Sequence, residues 1–249
     1  MKSVNTDIAY AHIRERILDG RYESGYALMT EVLAEEIGVS RTPVRDALRK
    51  LEGDGLVTIQ PRLGARVKQF DRVEFREMCE LRLALEAQAA GLAARNRTPA
   101  DLAEIEAPLT AMRALSAELV TARVGVPRLQ KIALADVRFH IAIMAAAKNA
   151  LMQREILRLH LIQRVAQIRV VETASGAASR TEQLANDERV LAEHETIFKA
   201  IADGDVRAAK QAMELHIENL LEISLRKFEQ EERERVAQTL MPSELAYHA

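Results

Sequence analysis

A chain of 249 residues, 48% hydrophobic and 29% charged, is long enough for two ordinary domains with real cores. Its formal net charge of −2 excludes a globally basic nucleic-acid binder, so any DNA-binding charge must be local. The single cysteine, Cys79, excludes intrachain disulfides and cysteine-based zinc sites. The N-terminal MKSVNTDIAYAH lacks the apolar stretch of a signal peptide, and no apolar run approaches the ~20 residues needed to span a bilayer. A reducing cytoplasm and no membrane partner are therefore expected.

The first predicted helix covers residues 7–18, with Ile8, Ala9, Ile13 and Ile17 at helical spacing and Gly20 as its C-cap. TEVLAEEI, residues 30–37, predicts a second helix with Thr30 as N-cap and Gly38 as stop. Ser40 opens a third helix that runs to about Asp54 and is ended by Gly55. LVTIQPRLGARVKQF then alternates around Pro61 and Gly64, the pattern of a small β-hairpin. Three helices followed by a hairpin is the order of a winged helix-turn-helix. From Asp71 on, six helices are expected: 71–95, 100–119, 128–147, 149–173, 180–202 and 205–235. Their breaks are Arg97-Thr98-Pro99, Gly125-Val126-Pro127, Lys148-Asn149, Ser175-Gly176 and Asp203-Gly204. The expectation is a mainly α protein: a winged helix-turn-helix over 1–70, an all-α antiparallel bundle of about six helices over 71–228, and a charged tail over 229–249.

The third helix carries the sharpest chemical signal. Ser40 can accept from the Thr42 N–H, and Pro43 falls in the first turn. Arg41, Arg45 and Arg49 occupy a sector of roughly 80°, beside an apolar sector of Val44, Ala47, Leu48 and Leu51. One side can pack while the other presents guanidinium groups to a major groove, where arginine suits guanine O6 and N7. Thr42 suits a phosphate or a thymine methyl. Residues 41–68 hold seven Lys/Arg and three Asp/Glu, a local excess of positive charge. A solvated basic helix face would show the same periodicity, but the hairpin that follows, with Arg62, Gly64 and Arg66, is placed like a wing over a DNA backbone.

These residues resemble a known family. IRERILDGRYESGYALMTEVLAEEIGVSRTPVRDALRKLEGDGLVTIQPRLGARV is similar to the DNA-binding domain of the GntR regulators, and SRTPVRDAL is the most specific part. The resemblance implies a dimer on a pseudo-palindromic operator, with Arg41, Thr42, Arg45 and the wing around Gly64 touching DNA. Two positions depart from the pattern. Ser24 stands where a proline usually precedes the Gly25 turn, and Glu31 stands where some members place a DNA-contacting arginine.

In the second half, four polar residues sit amid apolar stripes. Asp136 and His140 share a helix face at i and i+4, with Val137, Ile143, Met144 and Ala147 around it. His194 lies amid Val190, Leu191, Ile197, Phe198 and Ile201, and His216 amid Ala212, Met213, Leu220 and Ile223. One such histidine is ordinarily a satisfied core residue. Three, with an aspartate, from three helices point to a shared divalent metal: imidazoles with a carboxylate suit Zn or Ni first, then Mn or Fe. RFHIAIMAAAKN, LAEHETIFKAIADGD and AKQAMELH resemble the ligand-bearing stretches of the FCD effector domain of the FadR-like branch, and CELRLALEAQAAGLAAR resembles its first helix. Six helices fit its VanR-type subgroup. The resemblance implies that Asp136, His140, His194 and His216 hold the metal and that a small organic acid binds beside it.

Arg82 lies near Met78, Leu81, Leu85 and Ala89. It is either half of an i,i+4 ion pair with Glu86 or a clamp for an effector carboxylate. Arg164 and Arg169 are weaker candidates, His12, His160 and His248 belong to no constellation, and Cys79 reads as a small core residue. The expected function is a ligand-responsive transcriptional regulator, a repressor or an activator. The alternatives are a metal-dependent enzyme or a metal sensor fused to a DNA-binding module, or a purely structural metal. A nucleophile elbow and a phosphate loop are missing from the sequence, which speaks against the enzyme.

Overall fold

The computed structural model describes residues 2–119, 126–173 and 180–239, with side chains for most of them. The expected breaks at Gly125 and Ser175-Gly176, His248 and the side chains of Arg164 and Arg169 lie outside the described residues. Two units are distinguished: residues 1–71 with 157–175, and residues 72–156 with 176–249.

The first unit opens with α1 (Lys2–Leu18), β1 (Ala27–Leu28), α2 (Thr30–Ile37) and α3 (Arg41–Gly53), then β2 (Val57–Gln60) and β3 (Gly64–Val67). Ala9, Ile13 and Ile17 of α1, Leu33 of α2 and Val44 and Leu51 of α3 are buried, so the three apolar stripes meet in one core. The sheet is antiparallel in the order β1-β3-β2, with Ile59 opposite Ala65 and Leu28 also opposite Ala65. β1 was not anticipated, because two residues carry no period. α1 starts at Lys2 rather than residue 7. Ser24, the proline substitute, donates its hydroxyl to the Lys68 carbonyl at 3.1 Å and so ties the turn before β1 to the end of the wing.

Both expected N-cap side-chain bonds are corrected. Ser40 has an extended N-cap backbone (φ −74°, ψ 167°) but its side chain makes no cap hydrogen bond. Pro43 sits at the third helical position, so one of the two donors a cap normally serves does not exist. Thr30 is the first residue inside α2, and Met29 holds the cap position through its carbonyl, which accepts from Leu33 N–H at 3.0 Å. A hydroxyl already inside the helix is not where a cap accepts. Gly38 does close α2, in left-handed geometry (φ 76°).

The second unit consists of α4 (Arg72–Asn96), α5 (Pro99–Leu119), α6 (Val126–Ala146), the first turns of α7 (Ala150–Thr173), α8 (Arg180–Asp203) and α9 (Val206–Thr239). The six expected helices are present among the described residues, with ends shifted by a few positions. Ala90, Ala93 and Ala94 give α4 a flat face that packs with Leu109 of α5, Phe139 of α6 and Met213 of α9. Each fully buried large side chain here contributes about 1.5–3 kcal/mol relative to exposure.

Local chemistry sets the corners. Thr98 and Asp101 cap α5 reciprocally: the Thr98 N–H and hydroxyl donate to Asp101 Oδ2 (2.9 and 2.7 Å), and the Asp101 N–H donates back to Thr98 Oγ1 (3.2 Å). Asn149 caps α7 by accepting from Met152 N–H, and Asp205 caps α9 by accepting from Arg207 and Ala208 N–H. At the end of α8, Gly204 is left-handed (φ 77°), and an added Cβ would meet the Arg97 guanidinium at 2.6 Å. That guanidinium donates to the carbonyls of Ala94 and Ala202, so it closes α4 and α8 together.

Candidate metal centre and DNA-reading helix

Helix α6 carries Asp136 and His140 one turn apart, α8 carries His194, and α9 carries His216. The structure brings all four to one point: a ligand atom from each lies within 4.8 Å of the others. His194 Nε2 is 3.2 Å from His216 Nε2, and His216 Nε2 is 3.3 Å from His140 Nε2. Asp136 Oδ1 lies 3.4 Å from His194 Nε2 and 4.0 Å from His140 Nε2. The three rings are completely buried, whereas the Asp136 side chain is 30% exposed and forms the open side of the cluster. Phe139 backs the His194 ring at 4.5 Å between centroids.

Three carboxylates surround these rings, two of them behind the convergent nitrogens. His216 Nδ1 lies 2.8 Å from Glu193 Oε2, whose other oxygen accepts from Asn219 Nδ2 at 2.6 Å. His140 Nδ1 lies 2.7 Å from Glu86 Oε2, and Arg82 Nε donates to Glu86 Oε1 at 2.6 Å. The His140–Glu86 approach is an ion-pair contact whose alignment falls short of a directed hydrogen bond. At 2.7 Å two lone pairs would nonetheless repel, so the proton belongs on Nδ1. A carboxylate only accepts, so hydrogen at Nδ1 is the tautomer that suits each ring, and with it the two Nε2 lone pairs face each other across 3.3 Å. That arrangement is repulsive unless a cation, or a hydrogen donated by a neighbouring ring such as His194 at 3.2 Å, sits between the lone pairs. Burial holds the His194 ring well below the ordinary imidazole value, with the His216 and His140 rings adding to the effect. Burial also lowers His216, against the opposing Glu193 hydrogen bond. Neutral imidazoles are the form that binds metal. The donor set therefore fits a divalent transition metal.

Glu193 and Asn219 were missed from sequence, and Glu86 was noticed only as a partner of Arg82. The available signals were weak: a glutamate beside His194, an asparagine one turn after His216, and a carboxylate on the alanine face of α4. Of the two readings of Arg82, the ion pair with Glu86 is present, and the guanidinium is buried. Cys79 is buried, and burial raises its thiol to about 11, as suits a core residue. His12 pairs with Glu36 in the first unit, and His160 is buried.

In the first unit Arg41, Thr42, Arg45 and Arg49 are exposed along α3, while Val44, Ala47, Leu48 and Leu51 face the core. Arg49 lies 3.8 Å from Asp46, and Arg41 lies 3.4 Å from Glu31 at the start of α2. Arg62 in the β2–β3 turn and Gly64 at the start of β3 are exposed. Both are left-handed (φ 68° and 85°), a backbone that glycine adopts freely and arginine rarely. Arg66 donates to the Gly25 carbonyl at 3.1 Å, which anchors the base of the wing.

An arginine-lined helix beside a hairpin wing, followed by a helical unit with a buried polar cluster, defines a DNA-binding regulator with a sensing domain. Residues 5–67 match the bacterial regulatory proteins of the gntR family, and residues 77–219 match the FCD domain. The chain belongs to the GntR family, in its FCD-bearing, FadR-like branch, and is a DNA-binding transcriptional regulator rather than an enzyme. It is 29% identical over 232 residues to the HTH-type transcriptional regulator LutR of Bacillus subtilis, covering 86% of this chain and 98% of LutR. It is also 29% identical over 201 residues to a probable D-xylose utilization operon transcriptional repressor of Paenarthrobacter nicotinovorans, covering 81% of this chain and 80% of the repressor. Among solved structures, E. coli McbR/YncC superposes with a TM-score of 0.71 at 21% identity, over 90% of this chain and 98% of McbR, a likeness of fold.

Proposed function

We propose that the chain is a homodimeric, ligand-responsive regulator. It binds a pseudo-palindromic operator and senses a small organic acid at a metal-containing site. The division of labour is 1–70 for DNA, 71–228 for effector binding and dimerisation, and 229–249 as a tail. The observation that carries the reading is the convergence of three buried imidazoles and Asp136, with one ligand atom from each within 4.8 Å of the others. Asp136, His140, His194 and His216 would hold one ion per chain, with Zn or Ni favoured and Mn or Fe the alternatives. Such an ion supplies a fixed positive charge that attracts a carboxylate. Arg82 is the second anchor: a guanidinium has five N–H donors, so pairing with Glu86 and holding an effector carboxylate are compatible.

On the DNA side, Arg41, Thr42, Arg45 and Arg49 are assigned to the major groove, and Arg62 with the Gly64 turn to the backbone. The exposed apolar side chains Val73 and Leu81 of α4 and Leu151 of α7 support a dimer contact on the effector domain. The match to bacterial DNA-binding regulators supports a cytoplasmic site of action; no helix among the described residues is long and apolar enough to cross a membrane.

Metal analysis and native mass spectrometry of the protein as purified test the reading. One divalent ion per chain is expected. His140→Ala, His194→Ala and His216→Ala should each lower metal content and melting temperature together, because binding energy stabilises the folded domain. A variant that retains full metal content would remove its histidine from the ligand set.

A further inference from the structure

We infer that Glu86 and Glu193 are positioning residues that preset two of the three imidazoles for metal capture. This rests on the metal reading above. The two carboxylates come from different helices, α4 and α8, yet do the same thing. Each places an oxygen behind the Nδ1 of a ring whose Nε2 points into the cluster: Glu86 at 2.7 Å from His140 and Glu193 at 2.8 Å from His216. Each is itself held from its other oxygen, Glu86 by Arg82 at 2.6 Å and Glu193 by Asn219 at 2.6 Å. The result is two parallel chains: Asn219–Glu193–His216, hydrogen-bonded at both links, and Arg82–Glu86–His140, whose second link is a close ion-pair contact. Glu86 is completely buried and Glu193 nearly so, so neither is an incidental surface contact.

An imidazole in water divides its proton between its two nitrogens, and only the form with a bare Nε2 can bind through that atom. A carboxylate fixed behind Nδ1 selects that form, holds the ring plane, and raises the donor strength of the opposite nitrogen. The cost is that the two bare lone pairs stand 3.3 Å apart, and the surrounding packing must hold them there. His194 is the internal contrast. Its buried Nδ1 has neither a hydrogen-bond partner nor a carboxylate beside it among the described residues, whereas Glu86 Oε2 stands 2.7 Å from Nδ1 of His140. Its Nε2 can instead donate to the bare Nε2 of His216 at 3.2 Å. Two ligands are therefore preset by glutamates, and the third is not.

The test uses the full-length protein with zinc ion alone, competed against a chromogenic chelator, together with 15N spectra of the histidine rings. Glu193→Ala should weaken zinc binding about 10–100-fold. Glu193→Gln, which keeps an acceptor oxygen, should lose less. In metal-free wild type, His140 and His216 should show the proton on Nδ1, and Glu193→Ala should divide the His216 signal between both tautomers. If Glu86→Gln fails to fold, the His140 tautomer in wild type tests the same claim, because a proton on Nε2 there would overturn it. Zinc affinity unchanged in Glu193→Ala, with the His216 tautomer also unchanged, would overturn the inference while leaving the metal site intact. Wild type that binds no zinc would remove the metal reading and this inference together.

Discussion

Glu31 and Arg41 lie 3.4 Å apart with both side chains more than half exposed. A pair this exposed contributes little to folding, so its consequence lies in DNA binding. The carboxylate stands at the start of α2, next to the arginine expected to read a base edge, where it would repel phosphate. Glu31→Gln should tighten binding to cognate and random duplex alike, by a few-fold at low salt, and leave the melting temperature unchanged. A salt titration of both duplexes measures it, and a gain confined to the cognate site would instead make Glu31 a reader. Arg45→Ala should behave oppositely: a loss of about 1–3 kcal/mol on the operator, with a much smaller loss on random DNA. Arg62→Ala should weaken every sequence to a similar degree and lower the salt slope. Equal losses for Arg45→Ala on specific and random DNA would take it out of the reading role. The exposed and buried sectors of α3 were legible in the sequence because 3.6-residue periodicity separates them. The ion pair to Glu31 was not, because no spacing rule relates one helix to the next.

At the scale of elements, the sequence announced most helices through their breakers. Thr98-Pro99, Lys148-Asn149 and Gly204 each mark a real corner, and in each case the side chain or the left-handed backbone does the capping. It misjudged Ser40 and Thr30, where the residue type was right but the hydrogen bond was not made. It gave β1 no signal, since that strand exists only by pairing with β3. The three histidines and Asp136 were legible as polar intrusions in apolar stripes, whereas Glu193 reads as an ordinary charged helix face until the fold turns it toward His216. The corner at Asp101 yields a prediction. Its carboxylate caps Thr98 and also accepts from Lys148 Nζ at 2.5 Å, which ties the start of α5 to the corner between α6 and α7. The Lys148 hydrogen bond, with those of Thr98, lowers its carboxyl from 3.8 to about 2. A depressed carboxylate stabilises the fold above its unfolded value, and the contribution is lost as pH falls from 3.8 through about 2. Asp101→Ala should cost about 1 kcal/mol at neutral pH, typical of a lost cap. The difference from wild type should shrink across that acid window, and urea melts at pH 7 and pH 2 decide it: an undiminished difference at pH 2 would mean the cost is packing rather than charge.

At the scale of the molecule, a regulator is defined by coupling between two sites, and coupling is reciprocal by thermodynamic necessity. If a carboxylate held between the metal and Arg82 changes operator affinity, operator DNA must change carboxylate affinity by the same factor. Operators require half-sites about one helical turn apart, so a dimer whose effector domains shift by a few ångströms alters how well both recognition helices fit. Coupling of about 1–3 kcal/mol is the usual range. The measurement is calorimetry of a co-purified or screened acid against wild type, Arg82→Ala and metal-stripped protein, each with and without operator. Arg82→Ala removes the guanidinium but also leaves Glu86 buried without its Nε donor, so its melting temperature must be recorded beside its affinity. Acid binding is expected to fall in both altered proteins, and in wild type to change on adding operator by the factor that the acid imposes on DNA. Undiminished binding in both altered proteins would exclude the proposed effector site. Acid affinity that ignores the operator would leave the site in place and end its role in controlling DNA binding, because a ligand that binds both states equally shifts neither.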